Sequence, residues 1–357
     1  MKLVDLIPTR LLMMKQAVAG LLSMAVAASC LAWPPAPSQA LASLDGATTW
    51  LNSPPLDAQA LRGKVVLLDF WTYSCINCLR TLPYVRAWAS KYGPQGLVVI
   101  GVHTPEFEFE RALPNVQRAV QDLGIRYPVA VDSNRTLWNA FATRAWPTLL
   151  FVDAEGRIRE RQLGEGRYDQ AERMIQALLR ESGPKGVPGD LVTPHGVGTQ
   201  AAAGPFSPAS DETYLGAARA EGFASSHDTL QSGQQAHYEP AKRLGLNQWT
   251  LAGDWKVDAE QIELAQAGGR IAYRFRARDL HLVLGPSRDG RPVKFKLTID
   301  GKQPGADHGS DVDADGTGVV DAQRLYQLVR QSNDGAERVF EIEFLDKGVR
   351  ANAFTFG

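Results

Sequence analysis

Cysteine is scarce: the chain has three in 357 residues. One of them, Cys30, lies in a stretch with the marks of a removable leader. Arg10 and Lys15 supply positive charge, Ala17 to Ala32 carries none, and small residues follow at Ser38-Gln39-Ala40 and Ala40-Leu41-Ala42. A positive start, an apolar run and a small-x-small site form the pattern of a secretory signal. Residues 1–42 are therefore expected to be a signal peptide, and the protein to be exported to the periplasm. The apolar run falls short of the roughly 20 residues of a spanning helix, which leaves an uncleaved inner-membrane anchor as the alternative. Ala27-Ala28-Ser29 before Cys30 lacks the bulky aliphatic residue of a lipid-attachment site.

Other absences narrow the field. The net charge is -1 and Lys and Arg form no run, so the basic footprint of a nucleic-acid binder is missing. No histidine follows Cys78, since residue 79 is Leu, which excludes a c-type haem attachment. A structural zinc site takes four ligands, and two cysteines with scattered histidines do not supply them, so no metal is expected. With Cys30 gone, only Cys75 and Cys78 remain. Exported proteins usually use cysteines to bridge distant segments. A bridge between these two closes so small a loop that chain entropy gives it little stabilising power. The pair points to reactivity instead of structure.

Hydrophobic patterning divides the chain. Lys64–Trp71 and Leu97–Val102 are β-branched, apolar runs of the kind buried on both faces of a sheet. Between them, Leu79, Leu82, Val85, Trp88 and Ala89 recur at helical spacing over Ile76–Tyr92, with Pro83 a potential kink. Helices are expected at Glu108–Leu123, Thr136–Phe141 and Tyr168–Glu181, and strands at Tyr127–Val131, Thr148–Val152 and Ile158–Leu163, the last two joined as a hairpin by a turn ending in Gly156. The alternation implies an α/β domain with a mixed central sheet and flanking helices over residues 45–182. Residues 183–210, rich in Gly, Pro, Ser, Thr and Ala, read as a linker. Beyond it, Arg270–Ala277, Val293–Ile299 and Arg338–Phe344 alternate apolar and polar residues, which predicts an all-β, sandwich-like domain over 211–357.

Cys75 falls where a buried strand gives way to a helix. A sulfur there faces unpaired N–H groups and the positive end of the helix dipole, which stabilise a thiolate. Cys78, one turn on, points back at the same spot, an arrangement in which Cys75 attacks a disulfide and Cys78 resolves the mixed intermediate. Asp69 lies in an apolar strand, where burial raises a carboxyl pKa, and it is a candidate for taking the Cys78 proton. Pro147 cannot donate to a sheet ladder, and a cis Pro beside the thiols would account for its place before a strand.

The order strand with Asp69-Phe70-Trp71, then Cys75-Ile76-Asn77-Cys78, then a helix, then Pro147 before a strand resembles the thioredoxin superfamily. "FWTYSCINCLRTLPYV", "GVHTPEFEFE" and "ETYLGAARAEGFAS" further resemble the extracytoplasmic C-terminal part of DipZ-type disulfide-interchange proteins. The resemblance implies a thioredoxin-like domain followed by a carbohydrate-binding-module-like β-sandwich. It implies Cys75 as nucleophile, Cys78 as resolving thiol, Asp69 as buried acid and Pro147 as cis proline, with Trp146, Pro147, Trp71 and Ser74 shaping the substrate groove. It implies a thiol-disulfide oxidoreductase that needs no cofactor beyond the Cys75–Cys78 disulfide. Its partners would be protein thiol or disulfide clients and a redox partner, such as a membrane thiol-electron carrier.

Two readings compete. Thr72, three residues before Cys75, suggests a peroxiredoxin-like thiol peroxidase, although residue 68 is Leu where such sites carry Pro. Alternatively the sandwich dominates as a glycan- or protein-binding module, with Trp249, Trp255 and Tyr273 as stacking surfaces. Thr213–Gly216 reads as a docking segment between domains. Asp311–Gly316 opens like a calcium loop but has Ala322 where the closing Glu is required, so an acidic turn is expected. His103, Glu106 and Glu108 follow the second strand, where an acid can tune the thiols.

Overall fold

The computed structural model describes residues 41–183, 186–204, 208–226, 229–332 and 335–357. The expected leader lies outside these, apart from its last two residues. Among the described residues no helix is long and apolar enough to cross a membrane.

The first half contains β1 (Thr49–Leu51), β2 (Val65–Trp71), α1 (Ile76–Tyr92), β3 (Leu97–His103), α2 (Leu113–Asp122), β4 (Val129–Val131), α3 (Thr136–Ala140), β5 (Thr148–Val152), β6 (Ile158–Leu163) and α4 (Tyr168–Glu181). Its strands form one mixed sheet in the order β1-β4-β3-β2-β5-β6. The β2, β3 and β4 strands run parallel, and the β5–β6 hairpin and β1 add antiparallel edges. All of β2 is buried because helices cover both faces. Alternation sends Val65, Leu67 and Trp71 into one core with Leu82, Val85 and Trp88 of α1, while Val66, Leu68 and Phe70 join Leu137 of α3 in the other. Asp69 shares the parity of Leu67 and Trp71, so it projects to the side on which α1 and Cys78 lie.

The helix expected over Glu108–Leu123 is divided into a 3-10 turn at Glu108–Arg111 and α2. Pro114 is the reason. In a continuous helix it would have to donate to residue 110 and has no N–H, whereas in the first turn of a new helix that N–H is not missed. By contrast, α1 runs through Pro83 without interruption.

The second half is all β: β7 (Thr213–Tyr214), β8 (Gln235–Tyr238), β9 (Trp249–Val257), β10 (Ile262–Leu264), β11 (Arg270–Arg276), β12 (Asp279–Gly285), β13 (Val293–Ile299), β14 (Thr317–Val320), β15 (Arg324–Arg330), β16 (Glu337–Phe344) and β17 (Arg350–Phe356). These eleven strands form one continuous antiparallel system, with β9 shared between its two leaves. β11 and β13 alternate buried and wetter positions as their sequences predict, but β12 is buried throughout and β17 is buried beyond Arg350. Their outer faces are covered too: Val283 of β12, Ala353 of β17 and Leu325 of β15 pack with Ile76, Leu79 and Phe107 of the first half.

Among its described residues, the stretch expected to be a linker has no regular structure beyond a turn at Gly198–Gln200, but it is fastened down. Lys91 of α1 donates to the Asp190 carboxylate at 3.1 Å, the Val192 N–H donates to Glu172 of α4 at 2.9 Å, and Arg86 donates to Gln200 at 2.6 Å.

Three side expectations are resolved by packing. Trp249, Trp255 and Tyr273 are completely buried in the β core and offer no surface to a sugar. In the acidic turn, Asp311 accepts from the Gln327 N–H at 2.8 Å and Asp315 from the Thr317 hydroxyl at 2.7 Å. Gly316 is needed there for its φ of 90°, and a Cβ on it would stand 2.3 Å from the Leu297 carbonyl. Tyr214 of the docking segment meets Phe107 and donates to Glu106 at 2.5 Å.

Candidate active site

Cys75 is the N-cap of α1, with extended backbone angles (φ -87°, ψ 117°), and its sulfur accepts the Cys78 N–H at 3.4 Å. Such a group takes one of the donors that a helix start leaves without a partner. Cys75 is half-exposed and Cys78 is buried, both as free thiols. One sulfur can be reached from outside and the other is shielded from solvent. Burial pushes the Cys78 thiol up, and the adjacent Cys75 sulfur adds to the effect.

Asp69 is 3% exposed, and burial raises its carboxyl from 3.8 to about 7. Its Oδ1 has no hydrogen-bond partner. It acts electrostatically on Cys78 and on the buried Tyr127. Gly101 is its partner in the β2–β3 register, and a Cβ at Gly101 would stand 3.0 Å from the Trp71 indole nitrogen and 3.1 Å from the Tyr127 ring. The missing side chain leaves room for both rings.

The Trp146–Pro147 peptide is cis. Trp146 is held by its indole N–H, which donates to the Thr104 carbonyl at 3.0 Å, and by contact with Trp138 at 4.1 Å between centroids. A cavity of about 620 Å³ opens over Cys75, Ile76 and Asn77, with Ala145 and Trp146 in one wall. Two residues expected in the groove are not there. Trp71 and Ser74 are each 2% exposed and do not line the cavity. Trp71 packs edge-on against the His103 ring, and Ser74 turns its hydroxyl inward to a carboxylate.

That carboxylate is Glu110, which the sequence does not single out. It is fully buried and accepts four hydrogen bonds: from the hydroxyls of Thr72 at 2.5 Å and Ser74 at 2.6 Å, and from the N–H groups of Glu106 at 2.6 Å and Phe107 at 3.0 Å. Burial raises it from 4.5 to about 7, against the lowering effect of its donors. Glu110 thus ties the loop that delivers Cys75 to the loop after β3. Within "EFEFE" nothing in the pattern separates it from Glu106 or Glu108. The one available signal is the pair of hydroxyls flanking Tyr73, which need an acceptor when buried. Of the other acids, Glu106 reaches the cavity and Glu108 pairs with Arg111 at 2.8 Å. His103 is buried, held well below the ordinary histidine range at about 3, and stacked on Tyr73.

Residues 36–161 match the AhpC/TSA family, and residues 210–357 match the family described as "Thioredoxin like C-terminal domain". The first half is thus a thioredoxin-like domain of AhpC/TSA type. The chain is a homologue of protein DipZ: it is 36% identical to the Mycobacterium tuberculosis protein over 268 residues, 71% of this chain and 37% of that one. It is also 38% identical over 124 residues to NHL repeat-containing protein 2 of Homo sapiens, covering 34% of this chain and 17% of that protein. With thiol-disulfide oxidoreductase YkuV of Bacillus subtilis it shares 29% identity over 144 residues, 40% of this chain and 97% of YkuV. The chain spans little more than a third of DipZ's length.

Proposed function

We propose that this protein is an extracytoplasmic thiol-disulfide oxidoreductase that exchanges disulfides with protein clients through Cys75 and Cys78. The observation that carries the reading is the pair itself: a reachable sulfur capping a helix N-terminus, with a second thiol buried one turn behind it. The relatives named as thiol-disulfide oxidoreductases support the class. The expected leader supports the location.

With the pair oxidised, a client thiolate attacks the Cys75 sulfur. The Cys75–Cys78 bond breaks, and Cys78 leaves as a thiolate. A second client thiolate then attacks the client sulfur of the mixed disulfide and releases Cys75 as a thiolate. Two electrons pass from client to pair, and the reverse sequence reduces a client. Burial makes the Cys78 thiolate costly, so it takes a proton on leaving. Asp69, on the same face and raised to about 7, suits the role of donor and acceptor near neutral pH. No cofactor is required, because the redox equivalents sit on sulfur. A redox partner, such as a membrane thiol-electron carrier, resets the pair.

Peroxide reduction is the second reading, favoured by the AhpC/TSA match. Against it, the Thr72 hydroxyl is buried and engaged with Glu110 instead of facing the Cys75 cavity. A Cys78→Ser variant tests the proposal. It is expected to accumulate mixed disulfides at Cys75 with envelope proteins. A variant that captures nothing, together with wild type inert toward protein disulfides but active on peroxide, would refute it.

A further inference from the structure

The β-domain does not stand apart from the redox site. Ile76, the residue after the nucleophile, is 5% exposed and Leu79 is 4% exposed. Both are covered by Val283, Leu325 and Ala353 of the β-domain. One turn further, Arg80 is 4% exposed and pairs across the same interface with Asp279 at 3.6 Å, and with Glu165 of its own domain at 3.2 Å. The apolar surface beside Cys75, where a folded partner would lay its own surface, is therefore already occupied.

What remains is the cavity of about 620 Å³. Its second wall comes from the β-domain, through Asp211, Glu212, Tyr214 and Thr355, and part of its rim from Ala203 and Gly204 of the connecting stretch. The wall is braced. The Tyr214 hydroxyl donates to Glu106 and lies 2.6 Å from Glu212, and the Arg219 guanidinium sits over the Tyr214 ring at 3.2 Å while pairing with Glu106 at 3.2 Å. A volume of this size is that of sites that enclose a small molecule or a short peptide. A folded partner instead needs about 800 Å² of open surface on each side.

We propose that the β-domain is a steric filter over Cys75. The site takes thiols and disulfides carried on extended, flexible chain segments and turns away those held on the surface of a folded protein. This rests on the exchange reading above and adds its substrate class. It also requires the partner that resets the pair to present its sulfur on a slender segment.

The test uses the full chain and three oxidants of the reduced pair: hydroxyethyl disulfide, an unstructured peptide bearing an internal disulfide, and a small folded protein with a surface disulfide. The expected result is a peptide rate at least a hundredfold above the folded-protein rate, each normalised to hydroxyethyl disulfide. Ala203→Trp, placed on the exposed rim, is expected to lower the normalised peptide rate at least tenfold by filling the cavity. Leu325→Arg, which forces the interface open, is expected to bring the two rates within tenfold of each other. Equal peptide and folded-protein rates in the wild type would overturn the filter, as would an unchanged normalised peptide rate in Ala203→Trp, a variant that does not depend on the β core surviving a buried charge. Failure to react even with hydroxyethyl disulfide would instead overturn the exchange reading.

Discussion

Replacing Asp69 by asparagine removes one charge from the thioredoxin-like core at almost no change in volume, and its effect can be worked from burial alone. In the folded protein the carboxyl titrates near 7 instead of at 3.8. Between these values the native state holds a proton that the unfolded chain has released. Folding therefore takes up a proton, and stability falls as pH rises. The contribution is fully present below pH 4 and lost by the time pH has passed 7. At about 1.4 kcal/mol per pH unit, the loss comes to about 4 kcal/mol. Asparagine does not titrate, so Asp69→Asn should be free of this term. Its pH-independent cost is that of burying an amide, and Oδ1 loses no partner because it has none. The assay is urea denaturation of the reduced protein at intervals from pH 4 to pH 8. The difference in unfolding free energy, variant minus wild type, should climb by about 4 kcal/mol across that range and then level. Glu110 titrates in the same window but does so in both proteins and cancels. Parallel profiles would refute the argument that Asp69 is a desolvated acid. They would remove the ground for giving it the Cys78 proton.

Glu110→Ala should destabilise the protein by about 3 kcal/mol or more, because three buried donors and one partly buried donor lose their acceptor; denaturant midpoints check this, and a slower exchange rate is expected as the Cys75 loop loosens. Arg80→Ala should cost about 3 kcal/mol in thermal or chemical unfolding, since it breaks a buried pairing with Asp279 and Glu165; a loss below 1 kcal/mol would show that the pairing does not hold the interface. Cys75→Ser should abolish exchange with a linear small-molecule disulfide such as hydroxyethyl disulfide, while Cys78→Ser should form a mixed disulfide with it at Cys75 and stop, which intact-mass analysis distinguishes.

Much of the thioredoxin-like domain could be read in the sequence because its signals are local. A β-branched run such as Val65–Trp71 has no other stable place than a sheet buried on both faces. Cys75 and Cys78 stand out as a candidate pair through their spacing, and the structure places them at the start of α1. The alternating strands β11 and β13 revealed an antiparallel sheet by the same local rule. Where a second layer intrudes, the rule loses its hold. β12 and the rest of β17 beyond Arg350 do not alternate, because Ile76, Leu79 and Phe107 bury the face that would otherwise be wet.

The long-range decisions belong to the tertiary structure. Trp71 and Ser74 stand beside the cysteines in sequence but face inward, since the parity of β2 and the acceptor at Glu110 turn them away from the groove. Glu110 lies 36 residues from Ser74 along the chain, and only folding brings the two hydroxyls to it. The candidate pair Cys75 and Cys78 and the acid Asp69 on the same side of the sheet were picked out by residue type and spacing. What surrounds the sulfur was decided by two distant sheets closing on each other, because which surfaces meet depends on the shape and burial of whole faces, which no single stretch of chain encodes.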